Sequence, residues 1–160
     1  MTQKAPRGGA PGRDLLEDAL KHLHESEYAG TSATVASLAG ALSLSLEQAG
    51  RVLEEMARAG LADPAGPAIR LTVPGRDEAR RIVRAHRVYE TYLANETGIT
   101  AEDLHRHADE AEHRLSREAV DALADRLGRP RYDPHGDPIP TREGALPPRR
   151  GVPLLEIADG

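Results

Sequence analysis

The chain has 160 residues, a formal net charge of −5 and a pI near 5.8, which suits one compact domain or two small ones and excludes bulk positive charge as a way onto nucleic acid. There is no cysteine, so disulfides, thiolate metal sites and cysteine nucleophiles are excluded. Phe and Trp are absent and only Tyr28, Tyr89, Tyr92 and Tyr132 are aromatic, so the core has to be Leu, Val, Ile and Ala, which favours packed helices.

Residues 1–12, "MTQKAPRGGAPG", are Gly, Pro and basic residues without an apolar period, and are expected to form a disordered arm. From Asp14 onward, Leu15, Leu16, Ala19, Leu20 and Leu23 recur at helical spacing and predict a first helix to about residue 26. "TSATVASLAGALSLS" predicts a short helix with Val35, Leu38, Ala39 and Leu42 on one face, broken around Ser43–Ser45. Ser45-Leu46-Glu47-Gln48 is a capping box that opens a helix through "EQAGRVLEEMARA", and Gly60 can close it as a left-handed cap. "GLADPAGPAIRLTVPG" alternates around a Pro/Gly turn, with Leu61 and Ala62 facing Ile69 and Leu71, and predicts a small β-hairpin. Helix, helix-turn-helix and hairpin over 13–75 outline a winged helix, although the same order also builds other small α+β domains.

"RDEARRIVRAHRVYETYLANET" (76–97) predicts a long helix with Ala79, Ile82, Val83, His86, Tyr89, Glu90 and Leu93 near one face, ended by Gly98. Thr100 and Asp103 predict a cap for the next helix, and Ser116 caps another, "REAVDALADRLG", striped by Val120, Leu123, Ala124 and Leu127. From Arg129 onward Pro, Gly and Arg dominate and little regular structure is expected. The chain shows no long apolar run and no charged-then-apolar leader, which leads to the expectation of a cytoplasmic protein.

The densest chemistry lies in "HADEAEHRLS" (107–116). On a helix, His105, Asp109, Glu112 and His113 share one face. Carboxylate and neutral imidazole are ordinary ligands of a divalent cation, but a solvated face with Arg106, Glu110 and Arg114 nearby reads equally well from this segment alone. His86 and Glu90 are again one turn apart; taken singly, His86 reads as a hydrogen-bonded core histidine. Asp18, among Leu15, Leu16, Ala19 and Leu20, reads singly as a polar-face residue.

The order of elements, with "LTVPG" (71–75), "AHRVYE" (85–90), "HADEAEHRLS" and "DPHGDPIP" (133–140), resembles the diphtheria-toxin-repressor family of metal-dependent transcriptional regulators from about Asp14 to Pro140. The resemblance implies a mostly α fold: a winged helix-turn-helix DNA-binding domain over 13–75, a helical metal-binding and dimerisation domain over 76–140, and an irregular tail over 141–160 without a complete SH3-like domain. It implies a primary metal site of Asp18, Asp109, Glu112 and His113 and an ancillary site of His86, Glu90 and His105. Carboxylates at 18 and 109 are the manganese-type choice. Lys21, where that type has a second acid, and the His86/Glu90/His105 set look iron-type, so Mn²⁺ is named first and Fe²⁺ second. His135 is expected to be a turn residue rather than a ligand.

The function implied is a homodimeric, metal-dependent repressor that binds double-stranded operator DNA and controls metal homeostasis. Gln48, Arg51, Arg58, Arg70 and Arg76 are the candidate DNA contacts, with Lys4, Arg7 and Arg13 able to reach phosphates. Glu47, Glu54 and Glu55 crowd the same recognition helix; a Glu is unfavourable beside phosphate, yet it can accept from cytosine N4. Other readings are a metal-dependent hydrolytic enzyme, a scaffold with a solvated acidic face, and a family member that binds metal without DNA. No Ser/His/Asp order, Gly-rich phosphate loop or second polar cluster supports catalysis, so no enzyme is expected.

Overall fold

The structure, a computed structural model, describes residues 11–148. The expected arm up to residue 10, with Lys4 and Arg7, and the end of the expected tail, "RRGVPLLEIADG", lie outside the described residues. The chain divides into two compact units between Ala79 and Arg80.

The first unit holds α1 (Arg13–Ala29), α2 (Val35–Ala41), α3 (Leu46–Arg58), β1 (Ala62–Asp63), β2 (Arg70–Leu71) and the opening turns of α4 (Val73–Glu96). Helix α1 runs past residue 26 until Gly30, whose φ of 71° lets its N–H turn back to Glu27 O. Helix α2 starts at a capping box of Thr34 and Ser37 that the apolar pattern does not reveal. Helix α3 starts at the expected one: Ser45 Oγ accepts from Gln48 N (3.1 Å) and Gln48 Oε1 from Ser45 N (2.9 Å). Leu20, Leu23, Leu38, Val52 and Met56 are fully buried and form the core these helices share.

The hairpin is shorter than the alternation suggests. Ala62 pairs with Leu71 as expected, but Ile69 bridges to Ala33 rather than facing Leu61. "LTVPG" is not all wing either, because α4 begins at Val73 with Thr72 Oγ1 accepting from Gly75 N (3.1 Å). A proline near a helix start loses no hydrogen bond, so Pro74 fits the first turn. Glu27 of α1 fastens this corner: its Oε1 accepts from Leu71 N (3.1 Å) and its Oε2 from Arg76 Nε (2.8 Å).

The second unit contains the rest of α4, α5 (Ala101–Glu112), α6 (Arg117–Arg126) and an irregular segment to residue 148. Thr100 precedes α5, but its hydroxyl bonds the Asp103 carboxylate (3.0 Å) instead of a backbone N–H. Helix α5 ends at Glu112, so His113 is its C-cap residue. Ser116 Oγ caps α6 by accepting from Ala119 N (3.1 Å). Ala85, Val88, Val120, Ala124 and Ile139 form a buried cluster, with Leu115, Leu123 and Leu127 packed against it.

The segment after α6 has little regular structure yet is tied down. Pro138 and Pro140 are fully buried, and their carbonyls accept from Arg87 Nη1 (2.6 Å) and Arg84 Nη1 (2.9 Å). Buried backbone carbonyls need partners, and here guanidinium groups supply them in place of a ladder. Among the described residues no helix is long and apolar enough to cross a membrane.

Candidate metal centre

Two helices of the second unit build the site. In α4, His86 and Glu90 are one turn apart and both are buried, with Glu90 at 1% exposure. In α5, His105 and Asp109 repeat that spacing and Glu112 follows, fully buried at 0%. A carboxylate almost never lies that deep without a charge partner.

His86 is the hub. Its Nδ1 is 2.5 Å from Glu112 Oε2 and 3.3 Å from Asp109 Oδ1. Its Nε2 is 3.2 Å from His105 Nδ1 and 3.3 Å from Glu90 Oε1. His105 Nδ1 is itself 3.1 Å from Glu90 Oε1, and its Nε2 is 3.6 Å from Asp109 Oδ2. The short contact to Glu112 suits a proton on His86 Nδ1, and the Nε2 side then meets an imidazole and a carboxylate oxygen. Ring protons shared with Glu90, or a divalent ion in their place, would supply the positive charge between these groups.

Burial pushes the Glu90 carboxyl up, but hydrogen bonds and charge from His86, a hydrogen bond from His105 and the charge of His135 outweigh it and bring it down to about 2. Glu90 is therefore anionic throughout the neutral range. The donor set fits a divalent ion. Imidazole and carboxylate are ordinary ligands of such an ion, and neither thiolate nor thioether is among these donors.

Ligand atoms of His86, His105 and Asp109 lie within 4.8 Å of one another. The primary and ancillary sets that the resemblance separates are thus contiguous in this unit: Asp109 turns one oxygen toward each histidine, and Glu112 joins His86 directly. His113 Nε2 stands 3.8 Å from Glu112 Oε1. Asp18 lies on α1 of the first unit, half-buried.

Sequence reasoning missed a further group. Glu90, Asp133 and His135 also bring ligand atoms within 4.8 Å of one another. His135 belongs to the turn, as its spacing in "DPHGDPIP" suggests, and its N donates to Asp133 Oδ1 (2.9 Å). Its ring also approaches Glu90, with Nδ1 3.6 Å from Oε2. Asp-x-His in a turn was the available signal, and it identified no partner on α4.

In the first unit the candidate DNA contacts are divided. Arg51 Nη1 pairs with Glu47 Oε1 (2.6 Å), Arg58 pairs with Glu55, and Arg76 belongs to the Glu27 fastening. Gln48 uses its amide oxygen in the α3 cap. Arg70 lies exposed on β2.

Residues 72–141 match the family described as "Iron dependent repressor, metal binding and dimerisation domain". A solved manganese-dependent transcriptional repressor in complex with manganese superposes with a TM-score of 0.79 at 34% identity, over 83% of this chain and 62% of that one. The chain is thus similar to metal-dependent repressors, the diphtheria toxin repressor of Corynebacterium diphtheriae among them, at 30% identity over 128 residues. The iron-dependent repressor IdeR of Mycobacterium leprae is 31% identical over 128 residues, 79% of this chain and 56% of that protein. A probable metal transport system membrane protein of Chlamydia trachomatis is 40% identical over 72 residues, 45% of this chain and 16% of that protein. The chain therefore spans a little over half the mycobacterial repressor and a small part of the chlamydial protein. The family's architecture, an N-terminal helix-turn-helix followed by a helical domain, is the fold found here.

Proposed function

We propose that this chain is a metal-activated, homodimeric transcriptional repressor of metal homeostasis that acts on operator DNA in the cytoplasm and has no catalytic role. The observation that carries this reading is the convergence of His86, Glu90, His105, Asp109 and Glu112 around one imidazole. The family match supports it.

Asp109, Glu112 and His113 would hold the activating ion, with Asp18 of α1 as the further ligand that the family resemblance adds. His86 with Glu90 and His105, and Glu90 with Asp133 and His135, offer additional positions. Oxygen-rich donors with imidazole suit Mn²⁺ first and Fe²⁺ second. Without an ion the clustered carboxylates repel; with one, the state in which all ligands engage is favoured by the ion's differential affinity for it. Recruiting Asp18 would couple that choice to the winged helix. Helix α3 and the hairpin would then meet DNA through Gln48, Arg51, Arg58, Arg70 and Arg76. The ion pairs that hold Arg51 and Arg58 are solvent-facing and each is worth only about 0.3–0.5 kcal/mol, so a phosphate or base can compete for the guanidinium.

Fluorescence anisotropy with labelled promoter fragments tests the reading. Mn²⁺ should produce tight binding to some fragments that chelator reverses, and Asp109→Ala with Glu112→Ala should abolish it. Binding of equal strength in chelator would overturn the metal switch; Mn²⁺-induced stabilisation without binding to any duplex would overturn the repressor.

A further inference from the structure

The start of the recognition helix carries an ion pair that the metal-switch reading does not use. Glu47 lies in the first turn of α3 and Arg51 one turn later, with Arg51 Nη1 2.6 Å from Glu47 Oε1. The Glu47 side chain is 81% exposed and that of Arg51 40%. Among the described residues, the Arg51 Nε and Nη2 donors and the Glu47 Oε2 acceptor make no hydrogen bond. The pair is therefore half-used: one edge of each group holds the other, and the opposite edges face solvent.

Those free edges have a specific complement. Nε and Nη2 form the two-donor fork that matches guanine O6 and N7, and a carboxylate oxygen accepts from cytosine N4 in the same major groove. Adenine would be read by an amide that offers oxygen and nitrogen together. The amide on this turn, Gln48, has committed its oxygen to the Ser45 cap. A carboxylate on a recognition helix is a liability against phosphate, but in the first turn the helix N-terminus and the Arg51 charge both favour it.

We infer that Glu47 and Arg51 act as one unit that reads a G·C base pair in each half-site, Arg51 taking guanine and Glu47 taking cytosine while orienting Arg51. This inference rests on the DNA-binding reading above and adds the base pair recognised.

The test is selection of duplexes from a random-sequence library by the full chain with Mn²⁺, followed by anisotropy on the enriched duplex and on copies with single base-pair changes. The enriched half-sites should share a G·C pair whose replacement by A·T weakens wild-type binding roughly tenfold or more. Arg51→Ala should bind the G·C and A·T duplexes within a few-fold of each other, and Glu47→Gln should narrow the gap, with Mn²⁺-induced thermal stabilisation unchanged in both variants. Enriched sites without a shared G·C pair, or equal discrimination by wild type and Arg51→Ala, would overturn the inference. No enrichment at all would overturn the DNA-binding reading, and this inference with it.

Discussion

Glu112→Gln should remove most of the protein's response to Mn²⁺ while leaving its unfolding in chelator nearly unchanged. Glu112 is fully buried at the end of α5 and 2.5 Å from His86 Nδ1. The glutamine keeps an oxygen that can accept from that nitrogen, so the fold retains its hydrogen bond and loses only the charge. An ion present at about 100 times its dissociation constant stabilises the folded state by about 2.7 kcal/mol. For a chain of this size that raises the melting temperature by on the order of 8 °C. Removing an anionic ligand should weaken Mn²⁺ by about 100-fold or more, beyond the range seen for partners that only orient a ligand, and so erase nearly all of that rise. Thermal melts of both proteins with chelator and with Mn²⁺ are the measurement. Equal Mn²⁺ shifts in the two proteins would show that Glu112 is a buried structural carboxylate and not a ligand.

The second large effect is expected at Gly75. A Cβ built there lies 1.8 Å from Leu61 O and 2.8 Å from Leu61 C, both backbone atoms. The same carbonyl accepts from Thr72 N (3.1 Å), and the Thr72 hydroxyl donates to Gly60 O (2.6 Å), so the peptide has no slack to move aside. Alanine would otherwise favour a helix over glycine by about 1 kcal/mol. Here the clash decides the sign, and Gly75→Ala should destabilise the first unit by about 3 kcal/mol or more. Urea unfolding followed by circular dichroism would report it as a lower midpoint. A midpoint equal to or above wild type would mean that α4 can start elsewhere.

Gly75 also marks where the sequence stops being legible. The periods of α1, α3, α4 and α6 and the caps of α3 and α6 follow local rules, so those elements could be read residue by residue. The start of α4 could not: Val-Pro-Gly after a strand reads as a turn, and only the approach of Leu61, fourteen positions earlier in the chain, shows that the glycine serves a helix-to-backbone contact. Ile69 paired with Ala33 for the same reason, since pairing to a segment before the hairpin leaves no signal in the hairpin itself.

At the metal centre the i,i+4 spacings of His86/Glu90 and His105/Asp109 were readable because helical geometry alone puts those pairs on one face. That His86 joins Glu112 and Asp109 was not, because it depends on how α4 and α5 pack within the second unit. Asp133 and His135 were unreadable as neighbours of Glu90, since an irregular segment has no period from which to project a partner.

If metal and DNA are coupled ligands of one protein, linkage makes the coupling measurable from either side. If Mn²⁺ tightens DNA binding by some factor, DNA must tighten Mn²⁺ binding by the same factor. The decisive measurement is a Mn²⁺ titration of the full chain by calorimetry, alone and in the presence of a saturating duplex recovered from the promoter screen. The predicted result is a Mn²⁺ affinity raised by DNA about 5- to 150-fold, the range of ordinary allosteric coupling, and equal to the gain in DNA affinity caused by Mn²⁺. An Mn²⁺ affinity that DNA leaves unchanged would contradict the account, however tightly either ligand binds alone.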